Sequence, residues 1–480
     1  MLDFTNSLVI GFTILITPAL AIVLFGIFKS YGSRSRSKFP PGDRGLPFVG
    51  CALSFFKPHP CTCRGDYLEK HLSKYGNISS VNLFGEKMVL SADPELNRFV
   101  LQNEMRLFKQ RPPSPKIDKL AGDSSLILMM GATHRQKRSV LLNFFGTIKV
   151  QASFIEHIDE LAAKMISSWK HKNVVRVTDE TSKYSFGVIA TKAMGVDIDK
   201  PETEQLRKDV TALHRGIFAL PINFPGTLYS KALKARVNID NTIKQTIEDR
   251  KVDKNRDEED DDDLIDYLMK DTSFTPEMIC DTVKGFILGG QITTSSVIAL
   301  AIYFLHGSPK AVEQMREEQL QAIRSKKHDG MEKLAWNDYK NMEFTQSVIS
   351  EVLRLGNVAR FLRKIALKDI EYKGYVIPEG TTVLLHLAAV HLDPSSFENP
   401  EHFNPWRWQT SMDVTKAKIF LPFGGGVRQC LGWELARIEI AIFLHHLILN
   451  YNWEFIEPDD PTPFPVPDFP KGLPIRVRQR

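Results

Sequence analysis

The chain has 480 residues, 43% hydrophobic and 25% charged, proportions that exclude a disordered, collagenous or multi-span membrane protein. Lys and Arg number 62 against 57 Asp and Glu, a net +5 too thin over this length to imply a nucleic-acid partner. The five cysteines (Cys51, Cys61, Cys63, Cys280, Cys430) are too few and too irregular for a disulfide framework, and their odd number leaves at least one unpaired, which fits a reducing compartment.

From Leu8 to Phe28 the sequence carries no charge and is long enough, as a helix, to cross a bilayer. Residues 1–38 therefore read as a single-pass anchor with a basic flank, Lys29, Arg34, Arg36 and Lys38, which places the following domain on the cytosolic side. A cleaved signal peptide fits less well, because the apolar run is long and the positive charges follow it. The Pro/Gly-rich stretch 39–50 cannot continue a helix and reads as a hinge, leaving 51–480 as the body. His59-Pro60-Cys61-Thr62-Cys63 lacks a second ligand cluster at zinc-like spacing and reads as a loop with free thiols.

Strand patterns cover Ile78 to Leu83, Lys87 to Ser91, Tyr372 to Ile377 and Thr382 to His386, with Lys373-Gly374 as a turn. Elsewhere helical spacing dominates, so the predicted class is mainly α with small β-sheets. Leu126 to Met130 suit a core or a pocket equally. His134 and Arg138 lie one helical turn apart, which by itself describes a solvated basic face. The acidic run Asp257 to Asp263 reads as a solvated loop. Glu351 and Arg354 share a helix face, a pairing worth little if exposed.

Near the C-terminus, Phe423-Gly424-Gly425-Gly426-Val427-Arg428-Gln429-Cys430-Leu431-Gly432 precedes an apolar helical stripe through Leu431, Leu435, Ile438 and Ile442. Glycines admit a flat ligand, and N–H groups at a helix start favour a thiolate that can ligate a metal. A Gly-rich turn with an inert buried cysteine is the bland alternative, and the contiguous glycines disfavour a nucleotide site.

This segment resembles the haem-binding loop FxxGxRxCxG of the cytochromes P450, and further motifs fall in that family's order. The resemblance implies the P450 fold and haem b with Cys430 as axial iron ligand, supported by Phe423, Arg428 and Gly432. Glu351-Val352-Leu353-Arg354 is similar to ExxR, and Arg407 in Phe403-Asn404-Pro405-Trp406-Arg407-Trp408 to the arginine that completes a buried network with it. Gly289-Gly290-Gln291-Ile292-Thr293-Thr294 resembles the oxygen groove (A/G)Gx(D/E)TT, which implies Gly290 in the groove and Thr293 as the proton-delivering hydroxyl. A Thr bonded back to its own helix is the alternative for Thr293. Ile292 stands at the acidic position and cannot relay protons. His134-Arg135-Gln136-Lys137-Arg138 is similar to WxxxR, implying propionate binding by Arg138 and His134, and Lys364 rather than Arg363 matches a further propionate cation.

The segments 342–362, 366–378, 403–409 and 468–477 resemble plant P450s of the brassinosteroid 22-hydroxylase group. That implies a membrane enzyme of the endoplasmic reticulum that hydroxylates a sterol, at C-22 or a neighbouring position such as C-16. Electrons would come from NADPH through a cytochrome P450 reductase, with cytochrome b5 as a second candidate donor. Gln291-Ile292, Arg363-Lys364 and Thr381-Thr382 depart from the pattern and mark a divergent member. Triterpenoid or diterpenoid oxidation, and haem-thiolate binding without oxygen activation, are the alternatives.

Overall fold

The structure of the protein, a computed structural model, describes residues 38–112, 116–148, 152–252, 262–328, 333–409, 418–463 and 465–480. The expected anchor, Leu8 to Phe28, and most of the acidic run lie outside them. Asp263, the last residue of that run, is buried rather than solvated: its carboxylate caps the helix Leu264–Met269 and pairs with Arg250. A capping site and a buried guanidinium outweigh the repulsion that would have kept it in water.

Helices dominate. The longest, Pro276–His306, starts at Thr275, whose hydroxyl accepts from the Met278 N–H at 3.3 Å, with Pro276 in the first turn. It is apolar and long enough to cross a membrane, yet 56% of its apolar window is buried in the protein, so here it serves as the central strut. Helices Val177–Met194, Leu228–Val252, Glu343–Gly356 and Trp433–Asn450 pack around it. The last of these starts at Trp433, so Leu431 belongs to the loop before it, while Leu435, Ile438 and Ile442 are core.

Eleven short strands are described: β1 Gly42–Asp43, β2 Ile78–Leu83, β3 Glu86–Ser91, β4 Phe108–Gln110, β5 Val175–Arg176, β6 Leu362–Ala366, β7 Ile370–Tyr372, β8 Tyr375–Ile377, β9 Thr382–Leu385, β10 Tyr451–Phe455 and β11 Pro474–Gln479. The main sheet runs β1-β2-β3-β9-β6-β4, β10-β11-β5 form a second, and β7-β8 a hairpin. Lys373 and Gly374 both take positive φ, 45° and 82°, as a two-residue turn between twisted strands requires. Part of the expected hinge is stitched to the body: Gly42 pairs in parallel with Ser80, and a Cβ on Gly42 would lie 1.8 Å from the Ser80 carbonyl oxygen. Only glycine fits that approach.

A buried carboxylate holds the framework together. Glu351 accepts from Arg354 Nε and Nη2 at 2.9 and 2.8 Å, Arg407 Nε at 3.0 Å, Trp408 Nε1 at 2.9 Å and the Asn404 N–H at 3.0 Å. Arg354 also donates to the carbonyls of His391 and Pro400 at 2.8 and 2.7 Å. Glu351 and Arg354 are fully buried, so each charge relies on the other. The His391 ring continues the chain, accepting from the Leu421 N–H at 3.0 Å through Nε2 and facing Asn357 Oδ1 at 2.8 Å through Nδ1. That pairing requires a neutral ring with its proton on Nδ1.

Glu351→Ala strands Arg354 and Arg407, and is expected to lower unfolding free energy by about 3–5 kcal/mol, read as a fall in denaturation midpoint and soluble yield. Wild-type unfolding in that variant would remove the network from its structural role. Burial pushes the His391 and His445 rings down to about 3 and about 4. Both fold neutral and bind a proton once unfolded, so their contribution is full above the ordinary histidine value and is lost as pH falls from there toward their folded values. Urea midpoints should therefore drop between pH 7 and pH 4, and a flat profile would contradict the neutral assignment.

Candidate functional site

The Gly-rich loop folds back on itself ahead of the Trp433–Asn450 helix. The Cys430 N–H donates to the Phe423 carbonyl at 3.0 Å, closing the turn. Gly426 sits at φ 67°, where an added Cβ would lie 2.1 Å from the Leu101 carbonyl oxygen, so the loop presses on the helix Pro94–Gln102. Gly432 faces the Phe145 ring, 3.7 Å from where its Cβ would be, and Phe145 meets Phe286 of the long helix with ring centroids 5.4 Å apart. Loop and strut thus share one aromatic wall. Cys430 is exposed on the open side of the loop, while the protein packed around its sulfur desolvates it and pushes the thiol up, the Gly432 N–H and the Arg138 guanidinium opposing that rise. Desolvation outweighs the donors that were expected to favour a thiolate, so the sulfur needs a cation to stabilise its anion.

A cluster of charge flanks the loop. Arg138, on the helix Gly131–Ile148, donates to the Gln429 carbonyl. Arg428 donates to the carbonyls of Leu126, at 3.0 Å, and Met129, while its Nε lies 2.8 Å from Glu104 Oε1. The segment 126–130 therefore forms a half-buried sleeve around Arg428 rather than core. Lys364 is buried and donates to Glu104 Oε2 and Gln110 Oε1, each at 2.5 Å. Its neighbour Arg363 turns the other way on β6, toward Glu86 at 3.6 Å. Burial first, and then Arg428, Arg138 and Lys364, push His134 down to about 4. At neutral pH it is an uncharged imidazole and not a cation. His134 Nδ1, Arg428 Nε and Glu104 Oε1 are buried without a hydrogen-bond partner among the described residues, the Arg428–Glu104 contact being a charge contact whose N–H is not aimed at the oxygen. Neither Glu104 nor Gln110 was singled out in the sequence, because an isolated Glu after a helix and a Gln ending a three-residue strand carry no periodic or motif signal.

On the strut, Gly285, Phe286, Gly289, Ile292, Thr293 and Ser296 form an accessible stripe along a helix otherwise buried at Ile287, Gln291, Thr294 and Ile298. Thr293 Oγ1 donates to the Gly289 carbonyl at 2.5 Å, the back-bonded geometry. Gly289 has open space where its Cβ would be. Gly290, the glycine singled out for the groove, does not face it: a Cβ there would lie 2.6 Å from Ile189 Cγ1, so its small size serves helix packing. Gln291 is also turned away, donating to Ser182 Oγ at 3.1 Å and Thr211 Oγ1 at 3.2 Å. The open glycine lies one position earlier, and only packing distinguishes the two.

His59 and Cys63 approach at 3.6 Å, and the carbonyls of Cys61 and Cys63 accept from Arg360 at 3.2 and 2.8 Å. No group of metal-ligating side chains occurs there or elsewhere among the described residues.

The glycine pair gives a directional test. Gly290→Ala should destabilise the fold by roughly 1–2 kcal/mol, overpacking against Ile189 outweighing the helix propensity gained. Gly289→Ala should be neutral or stabilising by up to about 1 kcal/mol while narrowing the stripe. Denaturation midpoints moving equally in the two variants would show that the glycines do not face different ways.

Comparisons with known proteins agree with this architecture. The family model described as Cytochrome P450 matches residues 40–473. The cholesterol 16,22-dihydroxylase CYP90G4 of Trigonella foenum-graecum is 42% identical over 467 residues, 96% of this chain and 97% of that protein. The steroid (22S)-hydroxylase of Oryza sativa subsp. japonica is 42% identical over 451 residues, 93% of this chain and 89% of its own. Among solved structures, retinoic acid bound cyanobacterial CYP120A1 superposes with a TM-score of 0.80 at 26% identity, covering 92% of this chain and 99% of that chain. With the family match spanning both the thiol loop and the buried Glu351 framework, the chain belongs to the cytochrome P450 family and is a haem-thiolate monooxygenase.

Proposed function

We propose that this P450 hydroxylates the side chain of a sterol, at C-22 or a neighbouring position such as C-16. The observation that carries the substrate class is the full-length likeness to relatives named for cholesterol and steroid hydroxylation, including the cholesterol 22-monohydroxylase CYP90B51 of Trigonella foenum-graecum, 42% identical over 474 residues. The stripe on the strut supports it: Phe286, Ile292 and the bare Gly289 offer an apolar wall that suits a rigid hydrocarbon skeleton.

The residues present fit a haem group. Cys430 offers a soft sulfur donor that lacks only a cation. Arg138, Arg428 and Lys364 against Glu104 leave two positive charges uncompensated within the cluster, the number that two propionates carry. His134 Nδ1, buried without a partner among the described residues, is a polar atom awaiting such a group. When bound, haem supplies the iron chemistry that activates O2 and inserts one oxygen atom into a C–H bond.

Around it the chain binds, excludes water and moves protons. Cys430 would give the iron its sulfur ligand, and Arg138, Arg428, Lys364 and the neutral His134 would hold the propionates. Phe423 and Gly432 keep the loop close and flat. Thr293 stores its hydroxyl proton against the Gly289 carbonyl, and a rotation about its side chain turns that proton into the open space beside Gly289. Ile292 has no proton to give, so the proton that reloads Thr293 comes from ordered water or a substrate hydroxyl.

NADPH electrons would arrive through a membrane-bound reductase, with cytochrome b5 as a second donor. The uncharged run from Leu8 to Phe28 with its basic flank supports anchoring in the endoplasmic reticulum, the body facing the cytosol.

Coexpression with a reductase, a reduced carbon-monoxide spectrum and a sterol panel with product identification test this. The expected result is a thiolate-type spectrum and a side-chain-hydroxylated sterol, both abolished in Cys430→Ser, whose hydroxyl is not a soft anionic ligand. Turnover confined to triterpenoids or diterpenoids would overturn the substrate class.

A further inference from the structure

We propose that Glu104 is a positioning residue for the haem site, a fixed internal counter-charge that holds Arg428 and Lys364 and sets the charge presented to the iron. The inference rests on the reading of the Cys430 loop as the haem site.

Glu104 stands just after the helix Pro94–Gln102, beside β4, and its side chain is fully buried. Its two oxygens divide between two elements far apart in sequence. Oε2 accepts from Lys364 of β6 at 2.5 Å, and Oε1 lies 2.8 Å from Nε of Arg428, two residues before Cys430. Gln110 of β4 takes a further Lys364 proton at 2.5 Å, so the ammonium is locked from two sides. The Arg428 guanidinium is held on its other edge by carbonyls of the 126–130 sleeve. A purely structural salt bridge would need Lys364 alone. Here the same carboxylate reaches into the thiol loop, and it leaves Arg428 Nε without an aligned acceptor.

The charge count gives this placement a consequence. Three cations face the site, and the one carboxylate among them reduces their sum to two, which two propionates neutralise. Remove the Glu104 charge and a buried positive charge persists beside the loaded haem. Positive charge near the iron favours the reduced state, because reduction adds an electron to a low-dielectric interior.

The test uses the full-length, haem-loaded protein and spectroelectrochemical midpoints. Glu104→Gln keeps the shape and removes the charge; the midpoint should move positive, with the reduction equilibrium constant raised about threefold or more. Glu104→Asp keeps the charge and should stay near the wild-type midpoint. The double variant Glu104→Gln with Lys364→Gln restores the net charge and should return both midpoint and haem content toward wild type. An unmoved midpoint in haem-replete Glu104→Gln overturns the proposal and leaves Glu104 a packing residue. Should Glu104→Gln fail to load haem, the double variant decides: recovery supports the charge-balance account, and a second failure overturns it. A wild-type protein without a thiolate-type carbon-monoxide spectrum would instead sink the haem-site reading beneath it.

Discussion

One fully buried carboxylate, Glu351, organises the molecule. Its desolvation would be prohibitive alone, and the fold answers with five donors drawn from the Glu343–Gly356 helix and the segment 404–408. Arg354, held there, takes carbonyls near residues 391 and 400, and the neutral His391 ring hands the position on to Leu421. The Leu421 carbonyl then accepts from Gly424 at 3.0 Å, at the start of the thiol loop. The sulfur is thus placed by a relay of polar contacts that begins some 80 residues earlier in the chain. Such a relay tolerates little slack, since each buried polar group is expensive to leave unmatched.

The site stores opposed tendencies. Partial desolvation raises the cost of an anionic Cys430 and burial that of a protonated His134, while three cations crowd nearby against a single carboxylate. A haem held there would relieve them together, giving the sulfur a metal and the cations two propionates as counter-charges. A group bound only by the folded chain would add to its stability by mass action, so haem binding and folding would be coupled.

Much of this was legible in the sequence. The strand Ile78–Leu83 and the Lys373-Gly374 turn follow from alternation and turn chemistry, which are local signals. The thiol loop and the Glu351, Arg354 and Arg407 triad stand out because family motifs fix their spacing. What remained hidden depends on packing between distant segments. Glu104 meets Lys364 across 260 positions, Asp263 is buried only because Arg250 waits for it, and Gly290 differs from Gly289 only by the presence of Ile189. The helix start three residues after Cys430 was misplaced because an apolar residue, Leu431, happens to be in phase with the stripe that follows.

The entry of the chain into the body also matters mechanically. The Lys38 carbonyl accepts from the Val376 N–H at 2.8 Å and β1 zips onto β2 a few residues later, so the first described residues clasp two separate sheets. A chain fastened at two points cannot swivel freely about either. The point at which the chain enters the body is therefore fixed in direction as well as in place. If a bilayer lies before it, the tilt of the monooxygenase over the lipid is constrained at this clasp.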